Sequence, residues 1–203
     1  MKNFGDAVII CGGKSRRMGF DKSLLKIDGE YIINRMASKL CQIFDNVRLC
    51  GNGQDKFEIF DLDLVEDIYK GGIGPIAAVH AALSHAKSRY VFVVAVDMPL
   101  LNLPHIRYMM ALIEDVQKLG KAPAALVPIN GLHKEAIYAF YSTETLSVFE
   151  EEITGGRYAM HKILTKFDTM YLDEEISRNF DMDLAMFTNL NYACDLSKLE
   201  GKK

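Results

Sequence analysis

Residues 90–96 read YVFVVAV, and Asp97-Met98-Pro99 follows them directly. The run is rich in β-branched and aromatic side chains and is apolar on both faces, so it lacks the alternation of a strand with one face in water. Such a run is typical of a central strand in a parallel sheet that helices cover on both sides. We therefore predict that the fold is built around this strand, with a helix at about residues 105–119 after it.

Shorter strands and helices alternate along the rest of the chain. Apolar residues recur at helical spacing from Ile32 to Phe44, which predicts an amphipathic helix. The other predicted strands are residues 7–11, 47–50, 64–66, 124–128, 136–141, 170–172 and 186–190, and the other predicted helices are 76–86, 143–152, 158–164 and 194–199. Glu150, Glu151 and Glu152 are interpreted as a solvated helix face. The alternation predicts a three-layer α/β fold with a mainly parallel sheet. Residues 1–203 are predicted to form a single domain.

The composition is typical of a globular protein and excludes several other classes. The chain has 203 residues, 49% hydrophobic and 25% charged, and its 24 Lys and Arg against 27 Asp and Glu give a net charge of −3. General disorder is therefore excluded, and no overall charge favours nucleic acid or an anionic membrane. No apolar run approaches the ~18 residues that span a bilayer, and no signal peptide is recognised. Because the four cysteines lack CxxC spacing, neither a zinc site nor a disulfide framework is indicated, which favours a cytoplasmic protein.

A glycine-rich, basic loop follows the first predicted strand. Residues 12–22 read GGKSRRMGFDK, in which the glycines let the backbone approach a ligand and the cations attract an anion. Its position directly after a buried strand favours a phosphate-binding loop over a solvated basic surface loop. It is not a Walker A loop, because Phe20-Asp21 separates Gly19 from Lys22. A second glycine cluster, Gly72–Pro75, is interpreted as a turn lining the site.

Two carboxylates follow other predicted strands. Asp97 ends the central strand and Asp67 follows residues 64–66. Magnesium suits such a position, because it binds through one or two carboxylates together with substrate phosphates. The alternative for each residue is an Asp that caps a turn or helix. Together with Lys22, the two carboxylates would suit attack on the α-phosphate of a nucleoside triphosphate, a reaction that needs positioning and charge neutralisation.

Several motifs resemble those of a known family. Residues 8–19, VIICGGKSRRMG, followed by Asp21-Lys22, resemble the L-A-G-G-x-S/A-x-R-M-G…D-K signature of nucleotidyltransferases. The chain is most similar to the molybdenum cofactor guanylyltransferases. Further matches follow in order: Val65-Glu66-Asp67, Gly74-Pro75 before a helix, Val96-Asp97-Met98-Pro99, and residues 187–191, FTNLN, against F-x-N-x-N-T-P.

The resemblance implies a Rossmann-like three-layer α/β/α fold of the nucleotidyltransferase type. It also implies magnesium-dependent transfer of GMP from GTP to molybdopterin or its molybdenum form, with release of pyrophosphate. Residues 1–120 would bind the nucleotide and residues 121–203 the acceptor. Transient contacts with proteins that deliver the cofactor and accept the product are implied as well.

The site residues implied by the resemblance fall into three groups. Lys22 and Asp97 would be catalytic, with Lys22 on the phosphates and Asp97 holding magnesium. The nucleotide would also be bound by Ile10, Cys11, Gly12, Gly13, Arg16, Arg17, Asn52 and Asp67, the two arginines bracing the pyrophosphate. The acceptor would be bound by Gly155-Gly156-Arg157, Asn189 and Asn191.

The chain departs from the family pattern at three places. Cys11 stands for the usual Ala, and Tyr192-Ala193 for the usual Thr-Pro. Cys50 aligns with a nucleotide-contacting Asn, which makes Asn52 the candidate for that contact. The five histidines lack the spacing of metal ligands.

Three alternatives for the function stay open: a cytidylyltransferase for the same cofactor, a sugar-phosphate nucleotidyltransferase, and a nucleotide-binding regulator without turnover.

Overall fold

The structure, a computed structural model, describes residues 1–12, 22–51, 54–69 and 71–190. Its strands are β1 Phe4–Ile10, β2 Lys26–Ile27, β3 Glu30–Tyr31, β4 Asn46–Cys50, β5 Leu64–Val65, β6 Tyr90–Ala95, β7 Ala125–Asn130, β8 His133–Lys134, β9 Tyr138–Ser142 and β10 Thr169–Leu172. Its α-helices are α1 Ile32–Leu40, α2 Pro75–Ser84, α3 Leu103–Lys118, α4 Leu146–Thr154, α5 Met160–Ile163 and α6 Glu174–Arg178. The predicted helix 194–199 lies outside the described residues.

The main sheet has the strand order β10-β7-β9-β6-β1-β4-β5, with β8 paired to β7. Strand β9 runs antiparallel to β6 and β7, whereas β1, β4, β5 and β6 pair in parallel, as do β7 and β10. Six strands therefore share one direction, which confirms the prediction of an α/β fold with a mainly parallel sheet. Strands from both halves of the chain join this one sheet.

Two apolar cores, one on each face of the sheet, give the three layers. Phe92 and Val94 of β6 pack in the core beneath α1 and α3, and Val91 and Val93 pack in the core beneath α2 and α4. Side chains of successive strand residues point to opposite faces, so a strand that is apolar throughout contributes to both cores. The interpretation of residues 90–96 as a central, doubly covered strand is confirmed.

A buried ion pair connects β1 to β4 away from the carboxyl ends of these strands. Nη1 of Arg48 lies 3.1 Å from Oδ1 of Asp6 and donates to the carbonyl of His85 at 3.0 Å. The other carboxylate oxygen of Asp6 accepts from the backbone N–H and the hydroxyl of Ser88, both at 2.6 Å. These hydrogen bonds compensate the desolvation of both charges and hold the loop after α2 against the sheet.

The prediction of a strand at residues 186–190 is wrong. Ala185–Phe187 forms a turn of 3-10 helix after Leu184, whose φ is 51°. The apolar side chains of this segment are buried without strand pairing, because Phe187 packs edge-on against Tyr138 with ring centroids 5.2 Å apart. The hairpin of β2 and β3, strand β8 and helix α6 were not expected from the sequence.

None of the described helices has both the length and the apolar character required to cross a bilayer.

Candidate nucleotide-binding site

Four parallel strands end side by side at one edge of the sheet. The backbone N–H of Cys11 donates to the carbonyl of Cys50 at 2.7 Å, and that of Val96 donates to Ile10 at 3.0 Å. The chain passes from β1 to β4 and β5 on one side and then returns to β6 on the other side of β1. Ligands of open α/β sheets bind at such a reversal of strand order, beyond the carboxyl ends of the strands. This edge is the candidate site.

The first part of the predicted phosphate loop lies at this edge. Ile10 and Cys11 are buried, whereas Gly12 is exposed. Among the described residues, no atom lies within 4 Å of the place where a Cβ of Gly12 would be, so a ligand can approach this backbone closely. Lys22 begins a short 3-10 helix, Lys22–Leu24, that follows the loop. The predicted ligands Gly13, Arg16, Arg17 and Asn52 and the side chain of Lys22 lie outside the described part of the chain.

Asp97 lies at this edge next to one of the predicted acceptor residues. Its side chain is half-buried in the turn after β6, and its carbonyl accepts from the N–H of Leu190 at 2.8 Å. Leu190 is buried, and its neighbour Asn189 is exposed. The structure therefore brings Asn189 and Asp97 to the same edge, although 92 positions separate them in the sequence. Asn191 lies outside the described residues.

Asp67 is half-buried two residues beyond the end of β5. Oδ1 of Asp67 lies 3.4 Å from Sγ of Cys50, a buried residue at the end of β4. Burial, and next to it the negative charge of Asp67, raises the pKa of the Cys50 thiol far above its usual range. The thiol therefore stays protonated and donates to the carboxylate.

The N-terminus of α2 also faces this edge. Gly74 precedes the helix with φ 94° and ψ −167°, a conformation that glycine adopts without strain, and Pro75 begins the helix. The first turn packs over the end of β4, since the carbonyl of Ala78 lies 3.7 Å from Sγ of Cys50. The positive end of the helix dipole therefore adds to the attraction of this edge for phosphate.

The predicted acceptor residues Gly156 and Arg157 follow α4. Nε and Nη2 of Arg157 bind the carboxylate of Glu152 at 3.0 and 2.9 Å, which lowers the pKa of that carboxyl. Glu152 is buried, so the interpretation of Glu150–Glu152 as a solvated face is wrong for this residue. Its charge is accommodated because a bidentate guanidinium partner follows five positions later. The contacts described for Arg157 are with carboxylates of α4, and its acceptor role stays a prediction.

Glu135 is a half-buried carboxylate near this edge that the sequence did not single out. Oε1 accepts from Nδ2 of Asn130 at 3.1 Å, and burial raises the pKa of the carboxyl above its usual range. The carbonyl of Ile137, two residues later, accepts from the N–H of Ala95 at the end of β6. Glu135 comes close to the end of β6 because β9 pairs antiparallel with β6. No local sequence pattern predicts this pairing.

The donor set at this edge fits magnesium better than a metal held by protein side chains alone. Within the described residues, no group of three or more His, Cys, Asp or Glu side chains is placed to hold a metal ion. Magnesium does not require such a group, because it retains waters and takes substrate phosphate oxygens as ligands. A half-buried carboxylate at the same sheet edge as an open glycine backbone, as with Asp97 and Gly12, is compatible with that requirement.

Comparison with known proteins identifies the family. The family profile described as the MobA-like NTP transferase domain matches residues 7–169, and these residues include the ends of β1, β4, β5 and β6. This chain belongs to the MobA-like NTP transferase family. Within the family, it is 36% identical to a probable molybdenum cofactor guanylyltransferase of Peptoclostridium acidaminophilum, over 94% of this chain and 86% of the relative. It is 35% identical to the molybdenum cofactor guanylyltransferase of Syntrophotalea carbinolica, over 96% and 90%.

Solved structures agree with the family and the fold. Molybdopterin-guanine dinucleotide biosynthesis protein A from Archaeoglobus fulgidus superposes with a TM-score of 0.80 at 26% identity, over 96% of both chains. The 2-C-methyl-D-erythritol 4-phosphate cytidylyltransferase from Thermus thermophilus gives a TM-score of 0.65 at 15% identity, over 95% and 96%. The second likeness concerns the fold alone. The predicted Rossmann-like nucleotidyltransferase fold is confirmed.

Proposed function

We propose that this protein transfers GMP from GTP to molybdopterin or its molybdenum form and releases pyrophosphate. The proposal depends on one observation: Asp67, Asp97 and the open backbone of Gly12 each follow a strand that ends at the same edge of the sheet, where strand order reverses. The names of relatives that align along nearly the whole chain support the guanylyl donor and the molybdopterin acceptor.

The transfer is a single displacement at phosphorus. A phosphate oxygen of the acceptor attacks the α-phosphorus of GTP, and the bond from that phosphorus to the bridging oxygen of pyrophosphate breaks. The pyrophosphate leaves with the electron pair, and no covalent bond to the protein forms. Such a reaction requires in-line positioning and stabilisation of the charge on the phosphate oxygens.

Each residue at the edge has a distinct role in this proposal. The backbone at Ile10–Gly13 binds the nucleotide, and the ammonium of Lys22 stabilises the charge that develops on the phosphates. Asp67 holds the nucleotide, and Asp97 is the residue that would hold magnesium, which neutralises phosphate charge when bound. Arg16 and Arg17 brace the pyrophosphate, and Asn52 binds the nucleotide in place of the Asn that the family has at the position of Cys50.

The acceptor is assigned to the second half of the chain. The predicted acceptor residues are Gly156, Arg157, Asn189 and Asn191, of which Asn189 adjoins the residue that binds Asp97. Residues 1–120 thus bind the nucleotide and residues 121–203 the acceptor. Transient contacts of the protein with others that deliver the cofactor and accept the product are part of the proposal, as is a cytoplasmic location.

Pyrophosphate release with a panel of substrates tests the proposal. GTP, CTP, UTP and ATP are each incubated with the protein and magnesium, with and without molybdopterin. We expect release with GTP and only when molybdopterin is present. Release with CTP instead would indicate a cytidylyltransferase. A parallel set of reactions contains a sugar phosphate in place of molybdopterin, and release there would indicate a sugar-phosphate nucleotidyltransferase. Nucleotide binding without release under any of these conditions would favour the regulator.

A further inference from the structure

Cys50 occupies an unusual position beside the candidate site. From the family resemblance we expect a nucleotide-contacting Asn at the position of Cys50, yet the Cys50 side chain is 0% exposed. Its Sγ lies 3.4 Å from Oδ1 of Asp67 and 3.7 Å from the carbonyl of Ala78 in the first turn of α2. A side chain enclosed in this way cannot contact a nucleotide in the open crevice.

The second cysteine nearby does not change this arrangement. Ile10 is the register partner of Cys50, so Cys11 lies one position further along β1. Cys11 belongs to the core beneath α1, whereas Cys50 belongs to the core beneath α2. The two thiols therefore point to opposite faces of the sheet and are not placed to form a disulfide, which requires converging Cβ atoms. Cys50 is a protonated donor whose acceptors lie around Asp67 and α2.

We propose that Cys50 positions the carboxylate of Asp67 for nucleotide binding. Asp67 lies two residues beyond β5, a strand of only two residues that pairs with β4, the strand that carries Cys50. The thiol has one hydrogen, and the nearer, charged Oδ1 of Asp67 accepts it in preference to the carbonyl of Ala78, while burial at the end of β4 holds the sulfur in place. With the carboxylate oriented in advance, GTP binds without the cost of ordering this side chain. The inference depends on the role of Asp67 under the proposed function.

The test separates a hydrogen-bonding role from a packing role. Cys50→Ala removes the donor and leaves a small cavity, whereas Cys50→Val removes the donor and fills the space. Cys50→Ser keeps a donor. We expect the KM for GTP to rise about three- to tenfold in both the Ala and Val variants, the range for loss of one hydrogen bond. The kcat of the Ala and Val variants should change less than twofold, and the KM for GTP of Cys50→Ser should stay close to that of the wild type. Cys41→Ala, at an exposed cysteine, is the control and should leave the KM for GTP unchanged.

A double-mutant cycle with Asp67→Asn shows whether Cys50 acts through Asp67. If it does, Cys50→Ala raises KM little further in the Asp67→Asn background, because neighbours that share one interaction are not additive. Independent, multiplying effects on KM would overturn the inference. A lower free energy of unfolding with unchanged KM in the Ala and Val variants would also overturn it. If Asp67→Asn leaves KM unchanged, the proposed role of Asp67 fails as well; if only the Cys50 variants leave KM unchanged, that role stands.

Discussion

His105 is predicted to make this protein less stable as the pH falls below 6.5. The side chain is buried at the start of α3, with Nε2 3.1 Å from the hydroxyl of Ser177. Its ring packs against Tyr138 and Phe187, at centroid distances of 5.7 and 5.9 Å. Burial lowers the pKa of His105 from 6.5 to about 4, because an imidazolium ion would lose its hydration there.

The size of the effect follows from the difference in pKa between the unfolded and folded states. Below pH 6.5 His105 binds a proton in the unfolded chain but stays neutral in the folded chain until the pH approaches 4. The free energy of unfolding therefore falls as the pH decreases. Proton linkage gives a loss of about 2 kcal/mol between pH 7 and pH 5, and about 3 kcal/mol in total once the pH is below 4. At a urea slope of ~2–3 kcal/mol/M, the first loss lowers the unfolding midpoint by about 0.7–1 M.

Urea unfolding of the wild type and of His105→Gln at pH 7 and pH 5 measures this contribution. Glutamine retains a group that can reach Ser177 but has no proton to gain in this range. The carboxylates titrate in both proteins, so their effects cancel in the difference between the two pH dependences. We expect the variant to lose about 2 kcal/mol less than the wild type. Equal losses in the two proteins would refute the assignment of a neutral, buried His105.

Three further predictions concern the site and the core. Lys22→Ala should lower turnover about 10²-fold or more with an unchanged unfolding midpoint, whereas Lys26→Ala, on the neighbouring hairpin, should not change pyrophosphate release. Asp97→Asn should raise the magnesium concentration for half-maximal turnover, and a chelator should abolish release by the wild type. Arg48→Met should reduce the free energy of unfolding by about 3–5 kcal/mol, because it leaves Asp6 buried without its partner, and guanidinium titration measures this loss.

The elements that could be predicted are those whose pattern of apolar residues lies within one continuous stretch of sequence. A run that is apolar on both faces identifies β6, and helical spacing identifies α1. The antiparallel direction of β9 could not be predicted, because it depends on which strands lie beside it. The strand predicted at residues 186–190 was wrong for a similar reason. Its apolar side chains fill a gap beside Tyr138, a use that sequence periodicity does not report.

The candidate site was predictable where it follows strand ends. Asp97 follows an apolar run directly and Asp67 lies two residues beyond the short strand β5, and parallel strands bring such ends to one edge. The burial of Glu152 was missed because it depends on the side chain of Arg157, across the end of a helix. The resemblance assigned Asn189 to the acceptor, but no local pattern predicted that its neighbour Leu190 would donate to the carbonyl of Asp97.

The exchange at Cys50 illustrates why a family motif does not fix the role of each residue in it. Ile10 of β1 is the register partner of Cys50, and Cys11 is the next residue along the chain. Successive residues of a strand point to opposite faces of the sheet. Cys11 and Cys50 therefore face different helices, although the backbone N–H of Cys11 donates to the carbonyl of Cys50. An Asn that reaches the nucleotide at this position must turn its amide outward, whereas a thiol is apolar enough to stay in the core beneath α2. The structure thus has at this position a buried donor to Asp67 and not a side chain exposed to the crevice. If Cys50 positions Asp67 as proposed, the two residues contribute to nucleotide affinity as one unit, and the cycle of Cys50 and Asp67 variants measures that coupling.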